Sequence, residues 1–123
     1  MIDVNCLRVA YIQQEITKMS KQKIWVDDVR PSPYPSEESF WCRSVNSAKD
    51  LIIALEAGGV KIELIDIDHD AGDYAGFGGD YIKLLEWFEE TGRNYPIHIH
   101  SMNPVGVENM RRIIDRNGWR EVL

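Results

Sequence analysis

Cysteine is scarce: the chain of 123 residues has two, Cys6 and Cys42, too few and too far apart for a disulfide framework or a thiolate metal site. Both read as reduced, structural thiols. No run of apolar residues approaches the length of a membrane span, and Asp3, Arg8, Gln13, Gln14 and Glu15 interrupt the stretch where a signal peptide would need unbroken hydrophobicity. A cytoplasmic location with no membrane partner is expected. Positive charge is also short, with 14 Lys+Arg against 20 Asp+Glu and a formal charge of −6. The resulting field repels duplex DNA and anionic membranes, although it does not stop a local cleft or a bound cation from holding one phosphate. Proline numbers only 5, yet Pro31, Pro33 and Pro35 crowd one segment.

What is present is the material of one core: 44% hydrophobic and 28% charged residues in a length that suits a single domain. Val9, Ile12, Ile16 and Met19 recur at helical spacing, so residues 7–19 read as a short amphipathic helix. It either covers the core or serves a homodimer. The organisation expected is an N-terminal helical extension over residues 1–22 and an α/β domain over 23–123.

KIWVDD, residues 23–28, is an apolar run closed by two acids, as in a buried parallel strand whose polar residues emerge at its C-terminal edge. The alternate prolines over residues 29–39 forbid a regular helix and leave an irregular crossover or lid. A second strand is predicted over 40–45, then a helix capped by Asn46 or Ser47 and running through Ala57, with Ala48, Leu51, Ile52 and Leu55 on one face. VKIELIDID, residues 60–68, reads as the third strand. A glycine-rich loop over 71–79 leads to a helix from Asp80 that turns Tyr81, Leu84, Leu85 and Phe88 inward. Residues 96–101 form a fourth strand. Asn103 caps a last helix with Pro104 at its first position, Val107, Met110, Ile113 and Ile114 on its apolar stripe and Gly118 at its end. Residues 119–123 are a short strand at best. Strands alternating with helices imply a doubly wound parallel sheet with helices on both faces.

Ligands of such sheets bind outside the C-terminal strand ends, where the strand order reverses. Asp27 and Asp28 close the first strand, and side by side they repel unless a cation or a proton relieves them. Asp66, Asp68 and Asp70 alternate at the end of the third. Asp66 reads as a buried structural acid or an edge residue, and Asp68 and Asp70 lie at the mouth. All 3 histidines fall at two strand ends: His69 follows Asp68, and His98 and His100 leave one face of the fourth strand. With the acids they make a metal set or an acid/base pair. The loop over 71–79 has four glycines that would let backbone amides approach a phosphate, although a plain connector explains them too. It carries neither a Walker lysine nor a dinucleotide fingerprint. Ser101 and Asn103, at the start of the last helix, can donate to phosphate oxygens. Trp25, Trp41, Trp87 and Trp119 read as core or cleft walls, with base stacking by Trp41 as the other possibility.

KIWVDDVRPSP, LIDIDHDAG and HIHSMNPVGVENM, taken together and in this order, resemble the cyclic-phosphate-processing receiver-like family of bacteria and their phages. The likeness runs from residue 23 to about residue 120. It implies a receiver-like, flavodoxin-like three-layer α/β/α fold, with the receiver acidic pair at Asp27 and Asp28, the phospho-acceptor position at Asp68 and the switch hydroxyl at Ser101. The sequence departs from a signalling receiver in having no lysine after Lys83, which disfavours a phospho-accepting role. It adds His69, His98 and His100. The resemblance therefore implies a phosphoesterase acting on a cyclic phosphate, a 2′,3′-cyclic RNA end or a cyclic nucleotide, in RNA repair or phage–host conflict. On that reading His98 and His100 are acid and base, assisted by His69 and Asp70. Asp27, Asp28 and Asp68 hold a divalent ion such as Mg²⁺, and Arg30, Ser101 and Asn103 bind the phosphate. Histidines ligating a transition metal are the chemical variant. The alternative from another class is a non-catalytic adaptor that binds a nucleotide, a metal or a protein partner.

Overall fold

The computed structural model describes residues 21–123. The helix predicted over 7–19, and any dimerisation through it, lie outside the described residues. Within them the chain forms β1 (Lys21–Val26), β2 (Ser39–Cys42), α1 (Val45–Ala57), β3 (Lys61–Ile67), a 3₁₀ turn (Gly72–Tyr74), α2 (Ile82–Thr91), β4 (Ile97–Ile99) and α3 (Pro104–Asn117). The four strands are parallel, in the order β2-β1-β3-β4. Among the described residues no helix is long and apolar enough to cross a membrane.

Register and the two-residue period of a strand sort the side chains. Ile24 and Val26 of β1 lie beside Ile65 and Ile67 of β3, and those beside Ile97 and Ile99 of β4. Most of this face, together with Ala48, Ile52 and Leu55 of α1, Leu84, Leu85 and Phe88 of α2, and Met110, Ile113 and Ile114 of α3, makes one buried core. The intervening residues Trp25, Asp66 and His98, also in register, point to the opposite face.

That division follows from the topology. A parallel crossover is right-handed, so two connections travelling in the same direction across the sheet put their helices on one face, and a connection travelling the other way goes to the second face. α1 and α2 carry the chain from β2 to β3 and from β3 to β4. The step from β1 to β2 runs in reverse, and it is the proline-rich segment that makes it. The receiver-like α/β fold is present with this one difference from the expected layers: among the described residues all three helices share one core, and proline-rich backbone lies on the other face. It is fastened there by Trp25 Nε1 donating to the Arg30 carbonyl (2.8 Å), by Gln22 Nε2 donating to the Glu37 carbonyl (3.0 Å) and by the Tyr34 hydroxyl donating to Asp66 (2.6 Å).

Several element ends differ from the sequence expectation: β1 runs over Lys21–Val26 and not 23–28, β2 over Ser39–Cys42 and not 40–45, and β4 over Ile97–Ile99 and not 96–101. α1 is capped by Ser44, whose side chain accepts from the Ser47 amide while Ser47 Oγ accepts from the Ser44 amide. Asn46 and Ser47 lie inside the helix because Val45 must already be buried. α2 begins beyond Asp80, whose carboxylate instead accepts the Ala71 amide and closes the glycine-rich loop. Residues 119–123 contribute a single parallel bridge, Ile97 with Glu121, in place of a fifth strand. The Asn103 cap, Pro104 at the first position and Gly118 in the left-handed conformation after α3 are as predicted.

Candidate functional site

The switch in crossover direction lies between β1 and β3, so the crevice opens over Asp27, Asp28 and Asp68. Asp27 is buried, and burial by itself opposes its charge. Amides of Arg30 (2.7 Å) and Val29 (2.9 Å) donate to Oδ1, and with His100 they overcome that opposition and hold the carboxyl below its ordinary value.

His100 is the hub. Its Nε2 lies 2.9 Å from Asp27 Oδ2 and its Nδ1 2.7 Å from Asp66 Oδ1, and its ring stacks on Trp25 with centroids 3.8 Å apart and planes 2° from parallel. Burial pushes the imidazole down, but hydrogen bonds and charge from the two carboxylates outweigh burial and keep its pKa raised. The protonated ring donates at both nitrogens. Asp66 is in turn bonded by Tyr34, whose hydroxyl is pushed up to about 12 by burial and then by Asp66. A continuous line, Tyr34–Asp66–His100–Asp27, crosses under the strand ends.

Above it, a cleft of about 240 Å³ is lined by Arg30, Asp68, Asp70, His100, Ser101, Met102 and Asn103. Asp68 Oδ1 accepts from the His69 amide (2.7 Å). Asp70 faces the His69 ring at 2.9 Å and the Asn103 amide group at 3.4 Å. Ser101 Oγ accepts from the Asn103 amide (3.1 Å), and Asn103 Oδ1 caps Gly106. Asp68 and Asp70 just beyond β3, the phosphate-binding candidates and His100 therefore converge on one cleft.

Other candidates sit elsewhere. His98 is drawn to the C-terminal segment, where Nδ1 donates to the Val122 carbonyl (2.8 Å), and it lies outside the cleft lining. Two residues further along the strand put His100 at the mouth and leave His98 alongside Asp66 in the sheet. Asp28 packs against the glycine-rich loop: a Cβ at Gly72 would lie 2.4 Å from Asp28 Oδ2, and φ there is +53°. Its carboxyl is raised by burial and then by the charges of Asp27 and Asp68.

His69 is wedged against α3. A Cβ on Gly106 would fall 2.4 Å from His69 Cγ, so the ring and the helix backbone touch directly. Gly106→Ala is expected to destabilise the protein by about 1–3 kcal/mol, the overpacking cost exceeding the roughly 1 kcal/mol that alanine contributes to a helix. Adding His69→Ala should recover most of the loss in a urea-unfolding double-mutant cycle. A neutral or stabilising Gly106→Ala would contradict this packing.

Asp27, Asp68 and His100 can each offer one ligand atom, all within 4.8 Å of one another, which makes a group that could hold a divalent ion. The set differs from the predicted trio by having His100 in place of Asp28. Two carboxylates and an imidazole fit a transition metal better than Mg²⁺, which favours oxygen ligands. Such an ion would replace the His100 proton and its bond to Asp27, since Nε2 cannot serve both. Both Asp27 oxygens already accept hydrogen bonds, so the arrangement described is that of a protonated clasp.

Sequence reasoning read Asp66 as a buried structural acid or an edge residue, which fits its burial, but it missed the bond to His100 and missed Tyr34. An acid flanked by Ile65 and Ile67 inside an apolar strand was the signal for that bond, because such a group must be paired once buried. Tyr34 gave no signal, since its reach depends on the path of the crossover.

No curated protein and no solved structure matches the chain. The model of one family, the cyclic-phosphate processing receiver domain, matches residues 22–116, from the second residue of β1 to the penultimate residue of α3. Among the described residues its span takes in part or all of every strand and helix and each residue of the cleft, and the chain belongs to that family.

Proposed function

We propose that the cleft hydrolyses a cyclic phosphate ester of a nucleotide. The observation that carries this reading is His100, an imidazole clamped by two buried carboxylates and facing a cleft that also holds Arg30, Asp68, Ser101 and Asn103. Ring opening requires that water lose a proton as its oxygen bonds to phosphorus and that the departing ribose oxygen gain one as its bond to phosphorus breaks. Asp68 accepts the first proton. His100 gives the second from Nε2, whose proton leaves its bond to Asp27 Oδ2 to reach the ester oxygen, and keeps its Nδ1 proton on Asp66, which fixes the tautomer of the neutral ring. The Arg30 guanidinium and the Ser101 and Asn103 donors bind the non-bridging oxygens as charge builds on them. A divalent ion on Asp27 and Asp68 would neutralise the same oxygens. His98 takes no part; His69 and Asp70 shape the mouth through Gly106 and Asn103.

The test is incubation with 2′,3′- and 3′,5′-cyclic nucleotides and with RNA ending in a cyclic phosphate, with and without EDTA, the products being resolved by mass. Gain of one water by a member of the panel supports the reading, and the position of the product phosphate assigns which ester bond broke. Saturable binding with no product would overturn hydrolysis and assign the cleft to ligand capture.

A further inference from the structure

One basic group beside the site is left out of that reaction. Arg93, Arg111, Arg112 and Arg116 each pair with a glutamate, at Glu56, Glu121, Glu108 and Glu89. Arg43, just past β2, meets no carboxylate among the described residues. Its guanidinium lies 4.0 Å over the Trp41 ring and 5.8 Å from that of Tyr74, and Nη1 donates to the Tyr74 hydroxyl (3.0 Å). That bond uses one of five N–H donors. Phe77 follows, with its ring 6.4 Å from Tyr74 and 58% exposed. The loop that presents Tyr74 and Phe77 is fixed in place, because the Phe77 amide donates to the Tyr74 carbonyl and the Phe77 carbonyl accepts from the Asn46 amide at the start of α1.

An immobilised guanidinium with free donors, set among aromatic faces, is what a phosphodiester with an unstacked base requires. Its location supplies the second argument. Trp41 Nε1 donates to the Asp27 carbonyl (2.8 Å), so the patch and the cleft flank the same acidic strand end. The order β2-β1-β3-β4 lines up Arg43, Asp27, Asp68 and His100 along one edge of the sheet. Three strand spacings of about 4.8 Å separate the ends of that line, roughly 14 Å. A base on the sugar that carries the phosphate in the cleft falls short of this distance, and the next unit of a chain reaches it.

We infer that Arg43, Trp41, Tyr74 and Phe77 form a subsite for the nucleotide upstream of the terminal one, so that the substrate is a single-stranded RNA end bearing a 2′,3′-cyclic phosphate and not a free cyclic mononucleotide. The inference rests on the hydrolytic reading of the cleft. A cyclic phosphate at a chain end bridges the 2′ and 3′ oxygens, which restricts the polymer to RNA. The Arg43 donors bind the internal phosphodiester, and the exposed ring of Phe77 carries the base.

The experiment compares kcat/KM for a 2′,3′-cyclic mononucleotide and for a trinucleotide with the same terminus, and measures binding of a fluorescein-labelled trinucleotide 3′-phosphate by anisotropy. The wild type is expected to favour the trinucleotide by about tenfold or more, of the order of one stacked base and one phosphate contact. Phe77→Ala and Arg43→Leu should each bring the ratio towards one. Equal use of both substrates by the wild type, or a ratio that survives in both variants, would overturn the subsite. If nothing is hydrolysed the reading of the cleft fails, and anisotropy decides the patch separately: trinucleotide binding weakened in both variants sustains it, and binding equal to wild type removes it.

Discussion

Replacing His100 with alanine is expected to lower ring-opening activity by roughly 10²–10⁴-fold, the range general acid–base groups supply, and to destabilise the fold by about 3–5 kcal/mol. The second effect arises because the side chains of Asp27 and Asp66 are only 1% and 3% exposed and would be left facing each other with no cation between them. Breaking a buried charge network by removing one partner costs more than the network contributes over an apolar core. The pH dependence follows from the same contacts. The folded pKa of His100 is raised above its ordinary 6.5 because the two carboxylates outweigh burial. Its contribution is therefore complete below that value and is lost as pH rises through the folded pKa. Asp27 is lowered from 3.8, against burial, by the amides of Arg30 and Val29 and by His100, so its contribution is present above 3.8 and is lost as pH falls through the folded value. In EDTA, urea midpoints measured from about pH 6 to about pH 9 should decline for the wild type, and His100→Gln should flatten that decline. A pH-independent wild type would show that the imidazole is not charged in the fold.

Phe88→Ala is expected to cost about 3–5 kcal/mol, a large share of the roughly 5–15 kcal/mol that holds a domain together. Phe88 is fully buried on α2, and its ring meets Trp87, Tyr95 and Trp119 at centroid distances of 5.8, 5.5 and 6.2 Å. Three rigid rings cannot collapse into the space that alanine leaves. Phe88→Leu refills most of that volume and should cost less. A Phe88→Ala loss below about 1 kcal/mol in urea unfolding would mean that α2 does not pack at this position.

The residues read most securely from the sequence are those whose position depends on near neighbours. Asn103 and Pro104 start α3 and Gly118 ends it because capping is settled within a few residues. Tyr81, Leu84, Leu85 and Phe88 face inward because helical spacing puts them on one side. Asp27, Asp68, Asp70 and Ser101 lie at strand ends because an apolar run stops there. The three prolines excluded a helix after β1, and right-handed crossover geometry then sends that segment to the face opposite α1 and α2.

What the order of residues could not supply was the choice between His98 and His100. They leave the same strand on the same face, and only the lengths of β3 and β4 and the position of the C-terminal segment give one to the Val122 carbonyl and the other to the cleft. Asp66 is one of three alternating acids in the sequence; its separate role arises from the register that puts β4 beside it and from a crossover that brings Tyr34 to its second oxygen. Arg43 and Phe77 are 34 positions apart and share a surface only because β2 and the loop after β3 end at one edge of the sheet. The sequence by itself determined the elements, their order and the strand ends where acids collect, since those depend on local periodicity and capping. The tertiary structure alone decided which of those groups share a proton, because that depends on hydrogen-bond distances between strands and segments remote in the chain.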